Sequence, residues 1–136
     1  MSGQHSVEKI GGTSMAATAV LFDNVLIAGR KGADLYNRVF VVSAYAGMTD
    51  LLLEHKKSGK PGVYARFVAD DGADGWRDAI ETVRGAMHAR NADMFARAES
   101  LAEANAFVDA RIDAMIESLE TRLDDPMQSV RISGHF

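Results

Sequence analysis

The segment from Val7 to Ser14 constrains the fold of this chain more than any other. It has the pattern of a short strand, a glycine turn and a helix start, with Lys9 near the strand end, Gly11 and Gly12 in the bend and the Thr13–Ser14 pair after them. Glycines let backbone N–H groups approach an anion, a helix N-terminus carries partial positive charge, and a lysine adds a full one. The pattern therefore favours a phosphate-binding turn, with the Thr–Ser pair capping the helix.

This turn matches neither of two common phosphate-binding motifs. Its lysine precedes the glycines, whereas in G-x-x-x-x-G-K-[ST] the lysine follows them, and the G-x-G-x-x-G spacing is absent. A structural strand-to-helix turn with an ordinary surface lysine explains the segment equally well on local pattern alone.

A second strand–loop–helix unit follows the first. Residues 38–44 form a continuous apolar run rich in β-branched residues, which predicts a strand buried on both faces of a parallel sheet. Small residues and Gly47 come next, and then a helical run over residues 51–57. Thr49 or Asp50 is the predicted N-cap of that helix.

The two loops are expected to meet at one edge of the sheet. In a parallel α/β sheet the loops that follow the strands emerge at their carboxyl ends, where ligands bind. Ser43, Thr49 and Asp50 are therefore predicted to lie at that edge. Lys9 and Gly11 would lie near them.

Together the two segments resemble the paired signature of the aspartate kinases. That family carries K-[FY]-G-G-T-S on its first strand and turn, and V-V-S-A-x-x-G-x-T-[DN] on the second. This chain has Lys9–Ser14 and Val41–Asp50 in the same order, with Ile10 where an aromatic residue is usual. The Gly62–Ala65 segment resembles more loosely the aspartate kinases associated with ectoine synthesis.

The resemblance implies the amino acid kinase fold, an α/β three-layer sandwich with a mostly parallel central sheet between helical layers. It implies transfer of the ATP γ-phosphoryl group to the side-chain carboxylate of L-aspartate, giving 4-phospho-L-aspartate. ATP with Mg²⁺ would be the cosubstrate and L-aspartate the acceptor. A homo-oligomeric complete protein is expected as well, and no metal-ligating residue is assigned. The lack of cysteine fits the expected cytoplasmic location.

The resemblance also assigns residues to the ATP side of the site. Lys9 would stabilise charge on the transferring phosphoryl group, since phosphoryl transfer depends on positioning and charge neutralisation. Gly11 and Gly12, with Thr13 and Ser14, would contact the phosphates.

On the acceptor side, the resemblance assigns Ser43 and Thr49 to hold aspartate. Hydroxyl and loop N–H groups can bind a small carboxylate without bringing like charge close to it. Asp50 is expected to cap its helix rather than enter the site.

The chain also departs from the family. Aspartate kinases are several times longer, and their Gly–Glu acidic segment, nucleotide half and C-terminal ACT domains are not found in these 136 residues. We therefore expect the N-terminal part of a catalytic domain, truncated and not necessarily active by itself. Two alternatives stay open: an amino acid kinase acting on a different small acid, and a non-catalytic partner chain of a complete kinase.

Composition excludes several other classes of function. The net charge of −4 argues against nucleic acid as the main partner, and the lack of cysteine excludes thiolate metal sites and cysteine nucleophiles. The four histidines show no metal-ligand spacing, and no segment is apolar over the length of a membrane span.

Between and after the motifs, local patterns predict the connecting elements. The first helix should run from about Ser14 to Ala28 and end between Gly29 and Gly32. Residues 58–62 should form a loop, and Val63 to Val68 a short strand or extended piece.

The remaining sequence predicts an antiparallel helical hairpin, inserted at about residues 74–125. Asn91 and Asn105 are expected to break or bend its helices, and Pro126 to end it. Apolar residues at helical spacing should face its core: Trp76, Ile80, Val83, Met87, Met94, Val108, Ile112, Met115, Ile116, Leu119 and Leu123.

Overall fold

The structure is a computed structural model, and it describes residues 5–69 and 75–123. The chain divides into two compact units, Met1–Ala46 and Gly47–Phe136. The first contains a two-stranded parallel sheet and the second is mainly helical, so the described chain is α/β with mostly helical content.

The sheet of the first unit consists of β1 (Ser6–Ile10) and β2 (Arg38–Val42). The strands are parallel, and Ser6 lies opposite Arg38 while Ile10 lies opposite Val42. The two segments predicted to be strands therefore pair in parallel, as the sequence predicts. Both strands end at the same edge, where the glycine turn and the Ser43 loop begin.

The helical segment after the glycine turn is divided into three pieces, so the prediction of one helix from Ser14 to Ala28 is wrong. A 3₁₀ turn (Ser14–Ala16) is followed by α1 (Thr18–Leu21) and a π-helix (Phe22–Ile27). Ala17 interrupts the run because its φ of −124° and ψ of 59° lie outside the helical region.

The end of this segment is close to the predicted position. Ala28 takes a left-handed conformation with φ 45°, and Gly29 and Gly32 also have positive φ. The Arg30 guanidinium donates to the Val25 carbonyl at 2.9 Å, which satisfies one of the carbonyls left unpaired at a helix end. A short helix, α2 (Ala33–Tyr36), then leads into β2.

One face of the sheet carries the core of the first unit. Ile10, Met15 and Leu21 form this small cluster, with Leu26, Phe40 and Tyr45 packed against it. The opposite face carries Val7, Val39 and Val41, which are 71%, 49% and 53% exposed. The prediction that β2 is buried on both faces is therefore wrong, because no element of the described chain covers the second face.

The second unit starts with α3 (Met48–Leu52), which is shorter than the helical run predicted over residues 51–57. Gly47 is its N-cap, with φ 85° and no side-chain capping bond, so Thr49 and Asp50 are not the caps that the sequence predicted. Glycine at this left-handed position starts the helix earlier and places both residues in its first turn.

A tight loop follows α3, as predicted for residues 58–62. A bridge between Glu54 and Pro61 closes it, and Gly59 takes a φ of 65°. The segment after it forms α4 (Val63–Ala69) and is not extended, so that prediction is wrong. Val63 and Phe67 are both buried. They are four residues apart and therefore lie on the same face of a helix, which explains why this segment is helical.

The predicted antiparallel hairpin is present as α5 (Gly75–Met94) and α6 (Ala98–Leu123). Its core contains Trp76, Ile80, Val83 and Ile112, together with Val63 and Phe67 from α4. The Phe67 and Trp76 rings meet edge to face with centroids 5.6 Å apart. Two of the predicted core residues lie outside this core: Met94 is not packed against it, and Leu123 is 45% exposed.

Polar pairs cross the hairpin at three levels. Arg77 pairs with Glu120, Arg84 with Asp109 and Asp113, and Asn91 with Asn105. The prediction that Asn91 and Asn105 break the helices is wrong, because Asn91 Nδ2 donates to Asn105 Oδ1 at 3.0 Å and both stay within helix. The break lies instead at residues 95–97.

Two predictions on the later chain fall outside the described residues. The acidic, glycine-rich turn expected before α5 lies mostly in residues 70–74, and the end of the hairpin at Pro126 lies in residues 124–136.

We predict that Gly62→Ala destabilises the protein by about 1–3 kcal/mol, the usual cost of overpacking. A Cβ at Gly62 would lie 2.4 Å from the Leu51 carbonyl oxygen, so the backbone of the loop would have to shift. Gly85→Ala is the matched control, because a Cβ there meets nothing within 4 Å and alanine favours helix by about 0.5–1 kcal/mol. Thermal unfolding should give a lower Tm for Gly62→Ala and a higher Tm for Gly85→Ala than for the parent protein. Equal Tm values for the two variants would contradict the packing described.

We also predict that part of the stability of the hairpin is lost in acid. The Arg84 guanidinium holds the pKa of Asp109 below its ordinary value. The contribution of Asp109 is therefore complete above the unfolded pKa, about 3.9, and disappears as the pH falls through the lower folded pKa.

Urea unfolding followed by the fluorescence of Trp76, the single tryptophan, reports on this unit. Asp109→Asn should be less stable than the parent protein at pH 7 and nearly equal to it at pH 2.5. Asp93→Asn, at an exposed position of α5, should match the parent at both values. A constant deficit for Asp109→Asn from pH 7 to pH 2.5 would contradict the charge-dependent contribution.

Candidate active site

The glycine turn joins β1 to the 3₁₀ turn through backbone bonds alone. Met15 N–H donates to the Gly11 carbonyl, and Ala16 N–H donates to the Thr13 carbonyl, each at 3.2 Å. Thr13 occupies the N-cap position but makes no side-chain capping bond, so the predicted Thr–Ser cap is wrong. The backbone closes the turn without the hydroxyls, and both residues stay exposed.

Backbone N–H groups at the bend are available to a ligand. Within residues 5–69 and 75–123, the N–H groups of Gly12 and Thr13 have no hydrogen-bond acceptor. Successive free N–H groups at a turn that enters a helix form a concave site with partial positive charge, which suits an anion.

Neither glycine of the turn is required by the packing of the described chain. A Cβ at Gly11 would meet nothing within 4 Å, and one at Gly12 would lie 3.6 Å from Ser43 Oγ, an ordinary contact. Neither residue has the positive φ found at Gly29, Gly32, Gly47 and Gly59. The open space above the turn is therefore accessible to a bound group.

Ser43 lies against this turn, as the sequence predicts. Its N–H donates to the Ile10 carbonyl at 3.0 Å, which extends the strand pairing by one residue. Tyr45 packs against the Ile10 cluster, and burial raises the pKa of its phenol. The half-buried ring anchors the loop that carries Ser43.

Lys9 lies next to the end of β1, opposite Val41 in the strand register. Side chains alternate along a strand, so Lys9 extends from the face opposite buried Ile10. The residue is exposed, and within the described chain it takes part in no ion pair. Its ammonium group is therefore free to meet an anionic ligand.

Thr49 and Asp50 lie in the second unit, in the first turn of α3. Asp50 Oδ2 lies 3.8 Å from His55 Nε2. His55 Nδ1 in turn accepts the N–H groups of Lys57 and Ser58 at 3.3 and 3.2 Å. This imidazole therefore connects the start of α3 to the tight loop. The proximity of Thr49 and Asp50 to Lys9 stays a prediction.

The sequence reasoning missed Glu8 and Arg38, which form the main ion pair of the first unit. Arg38 Nε and Nη2 donate to the two Glu8 carboxylate oxygens, each at 2.6 Å. The Arg38 hydrogen bond lowers the pKa of Glu8 below its ordinary value. Thirty residues separate the partners, and only the parallel register brings them together, so no local signal in the sequence could reveal the pair.

A polar cleft opens at the other end of the strands. Its lining combines both charges and includes no predicted site residue: His5, Ser6, Glu8, Arg30, Asp34, Asn37 and Arg38. The hydrogen-bonding groups of Glu8 and Arg38 are already paired within the protein. The candidate site is therefore assigned to the carboxyl edge of the sheet.

Comparison with known sequences finds a similar protein. The chain is 49% identical over 132 residues to aspartate kinase Ask_Ect of Stutzerimonas stutzeri (strain A1501). This chain is a relative of the aspartate kinases. The resemblance carried by the two motifs, including its ectoine-associated type, is thereby confirmed.

The similarity covers 97% of this chain and 27% of that relative. The chain therefore spans about a quarter of the aspartate kinase that it matches. No protein-family profile matches the chain, and no solved structure matches it.

Within residues 5–69 and 75–123, no three side chains of His, Cys, Asp or Glu cluster closely enough to hold a metal ion. No helix there combines the length and apolarity that crossing a bilayer requires.

We predict that Gly12→Ala leaves the free energy of unfolding unchanged or raises it by up to about 1 kcal/mol, since alanine restricts the unfolded chain. Gly47→Ala is the contrasting variant, because a φ of 85° strains any residue with a Cβ and should cost about 1–2 kcal/mol. Urea unfolding measures both. A Gly12→Ala variant as unstable as Gly47→Ala would show that the fold itself needs Gly12.

Proposed function

We propose that this chain forms part of the catalytic domain of an aspartate kinase. The complete enzyme would transfer the ATP γ-phosphoryl group to the side-chain carboxylate of L-aspartate, giving 4-phospho-L-aspartate. The observation that carries the proposal is the parallel strand pair, which brings the open glycine turn within contact distance of Ser43. The likeness to a named aspartate kinase supports aspartate as the acceptor.

On the ATP side, the proposal uses groups that the described fold leaves open. The free N–H groups of Gly12 and Thr13 would bind phosphate oxygens, with the Thr13 and Ser14 hydroxyls beside them. Gly11 has no side chain that would obstruct the approach of the phosphates to the turn. Lys9 would neutralise negative charge that develops on the transferring group, where a fixed charge lowers the barrier most.

On the acceptor side, Ser43 and Thr49 would hold aspartate with its side-chain carboxylate towards the γ-phosphate. Ser43 is suited to this role by its contact with the glycine turn, which would place donor and acceptor groups side by side. Holding two reactants in contact removes much of the entropic barrier to their reaction. The role of Thr49 rests on the motif that it shares with the family.

Mg²⁺ would enter with ATP, because hard phosphate oxygens are its preferred ligands and a few carboxylates suffice beside them. In the complete enzyme, the two-stranded sheet would belong to a larger parallel sheet between helical layers. The hairpin of α5 and α6 would then be a helical insertion, at about residues 74–125, within the amino acid kinase domain.

We predict that Lys9→Ala lowers aspartate kinase turnover by orders of magnitude while the Tm changes little, since an exposed strand-end lysine contributes little to stability. Lys31→Ala is the matched control, because Lys31 is an exposed lysine of the same unit outside both motifs. ATP-dependent formation of aspartyl hydroxamate measures turnover, in the 136-residue chain and in a longer protein that continues it as in the relative.

Calorimetric titration with ATP separates binding from chemistry. ATP binding that Lys9→Ala weakens and Lys31→Ala does not would support the site even if only the longer protein turns over. Normal turnover in Lys9→Ala would remove Lys9 from the mechanism. A longer protein that phosphorylates another small acid, and not aspartate, would overturn the proposed substrate.

A further inference from the structure

Arg38 differs from Arg30, the other arginine of the first unit, in its burial and in the number of its partners. Its side chain is only 5% exposed. Besides the two bonds to Glu8, Nη1 donates to the Leu26 carbonyl at 2.6 Å and Nη2 to the Val25 carbonyl at 3.1 Å. The guanidinium also stacks over the Phe40 ring, with its central carbon 4.5 Å from the ring centroid.

These contacts join three elements at the amino end of the sheet. Arg38 belongs to β2, Glu8 to β1, and the two carbonyls to the π-helix, whose last turn leaves its carbonyls without helical partners. A planar guanidinium can satisfy a carboxylate and two carbonyls at fixed angles, which a lysine ammonium cannot do.

The register of the two strands depends on contacts such as those of Arg38. The face with Val7, Val39 and Val41 is exposed, so apolar burial on that side does little to select one register over another. A shift of one residue would separate Glu8 from Arg38. At the other end of the same strands, it would remove the bond from Ser43 N–H to the Ile10 carbonyl and move Ser43 away from Gly12.

We propose that Glu8 and Arg38 are positioning residues for the candidate site, holding the strand register that places Ser43 against the Gly11–Gly12 turn. Neither residue touches the site. This inference rests on the proposed function for its catalytic readout, whereas its structural readout is independent of that function.

The structural test measures amide hydrogen exchange at Ser43 in the ¹⁵N-labelled 136-residue chain. Arg38→Lys keeps the positive charge but loses the two parallel hydrogen bonds of the guanidinium to Glu8. Glu8→Gln keeps the shape of the side chain but loses its negative charge. Each should speed exchange of the Ser43 amide at least tenfold, because its bond to Ile10 depends on the register. Arg77→Lys is the matched control, since its ion pair with Glu120 lies in the hairpin and its loss should leave Ser43 exchange within twofold.

The catalytic test uses the longer aspartate kinase at a temperature where circular dichroism shows each variant fully folded. Arg38→Lys should lower kcat roughly 10-fold to 100-fold, since a misplacement of about 1 Å can have an effect of this size. Arg77→Lys should keep kcat within twofold. If Arg38 had a purely structural role, Arg38→Lys would lower the Tm of the protein and leave the kcat of the folded protein unchanged.

The outcomes separate the two proposals. Unchanged Ser43 exchange in Arg38→Lys overturns the positioning role, whatever the activity. A parent kinase with normal turnover and an Arg38→Lys variant within twofold of it also overturns that role, while the proposed function stands. A longer protein without aspartate kinase activity overturns the proposed function, and the exchange experiment still decides on Arg38.

Discussion

Parallel pairing of two five-residue strands is the constraint on which the candidate site depends. It aligns the ends of β1 and β2, so two loops far apart in sequence start from the same edge. The strand pair is small and one of its faces is open, and the Glu8–Arg38 contact lies at its amino end. Under the positioning role proposed above, the geometry of the candidate site at one end of the strands depends on this contact at the other.

The second unit is held by a different balance of forces. A core of aromatic and branched side chains fills the space between α4, α5 and α6, and Ile80 and Val83 are completely buried there. Arg84 reaches Asp109 and Asp113 across the hairpin and Glu81 on its own helix, so one cation serves three carboxylates. A network of this kind contributes more to stability than an isolated exposed ion pair does, and it links the two helices of the hairpin.

Sequence patterns revealed those parts of the fold in which local chemistry decides the outcome. The two strands, the helical hairpin and most of its core follow from apolar periodicity, and the turn at Gly11 and Gly12 follows from composition. The errors have non-local causes. Residues 63–68 are helical because Val63 and Phe67 pack in one buried cluster with Trp76. Asn91 stays helical because its side chain forms a hydrogen bond with that of Asn105. Arg38 was missed because its partners lie 12 to 30 residues away.

The valine face of the sheet has a consequence for how the isolated chain behaves in solution. In the described residues each strand has one neighbour, so both outer edges present unpaired backbone N–H and C=O groups beside exposed Val7, Val39 and Val41. Open strand edges next to apolar, β-branched side chains are templates for pairing with further strands. Lys9, which is exposed on the same face of β1 as Val7, places a positive charge beside one of these edges and thereby opposes indiscriminate self-association.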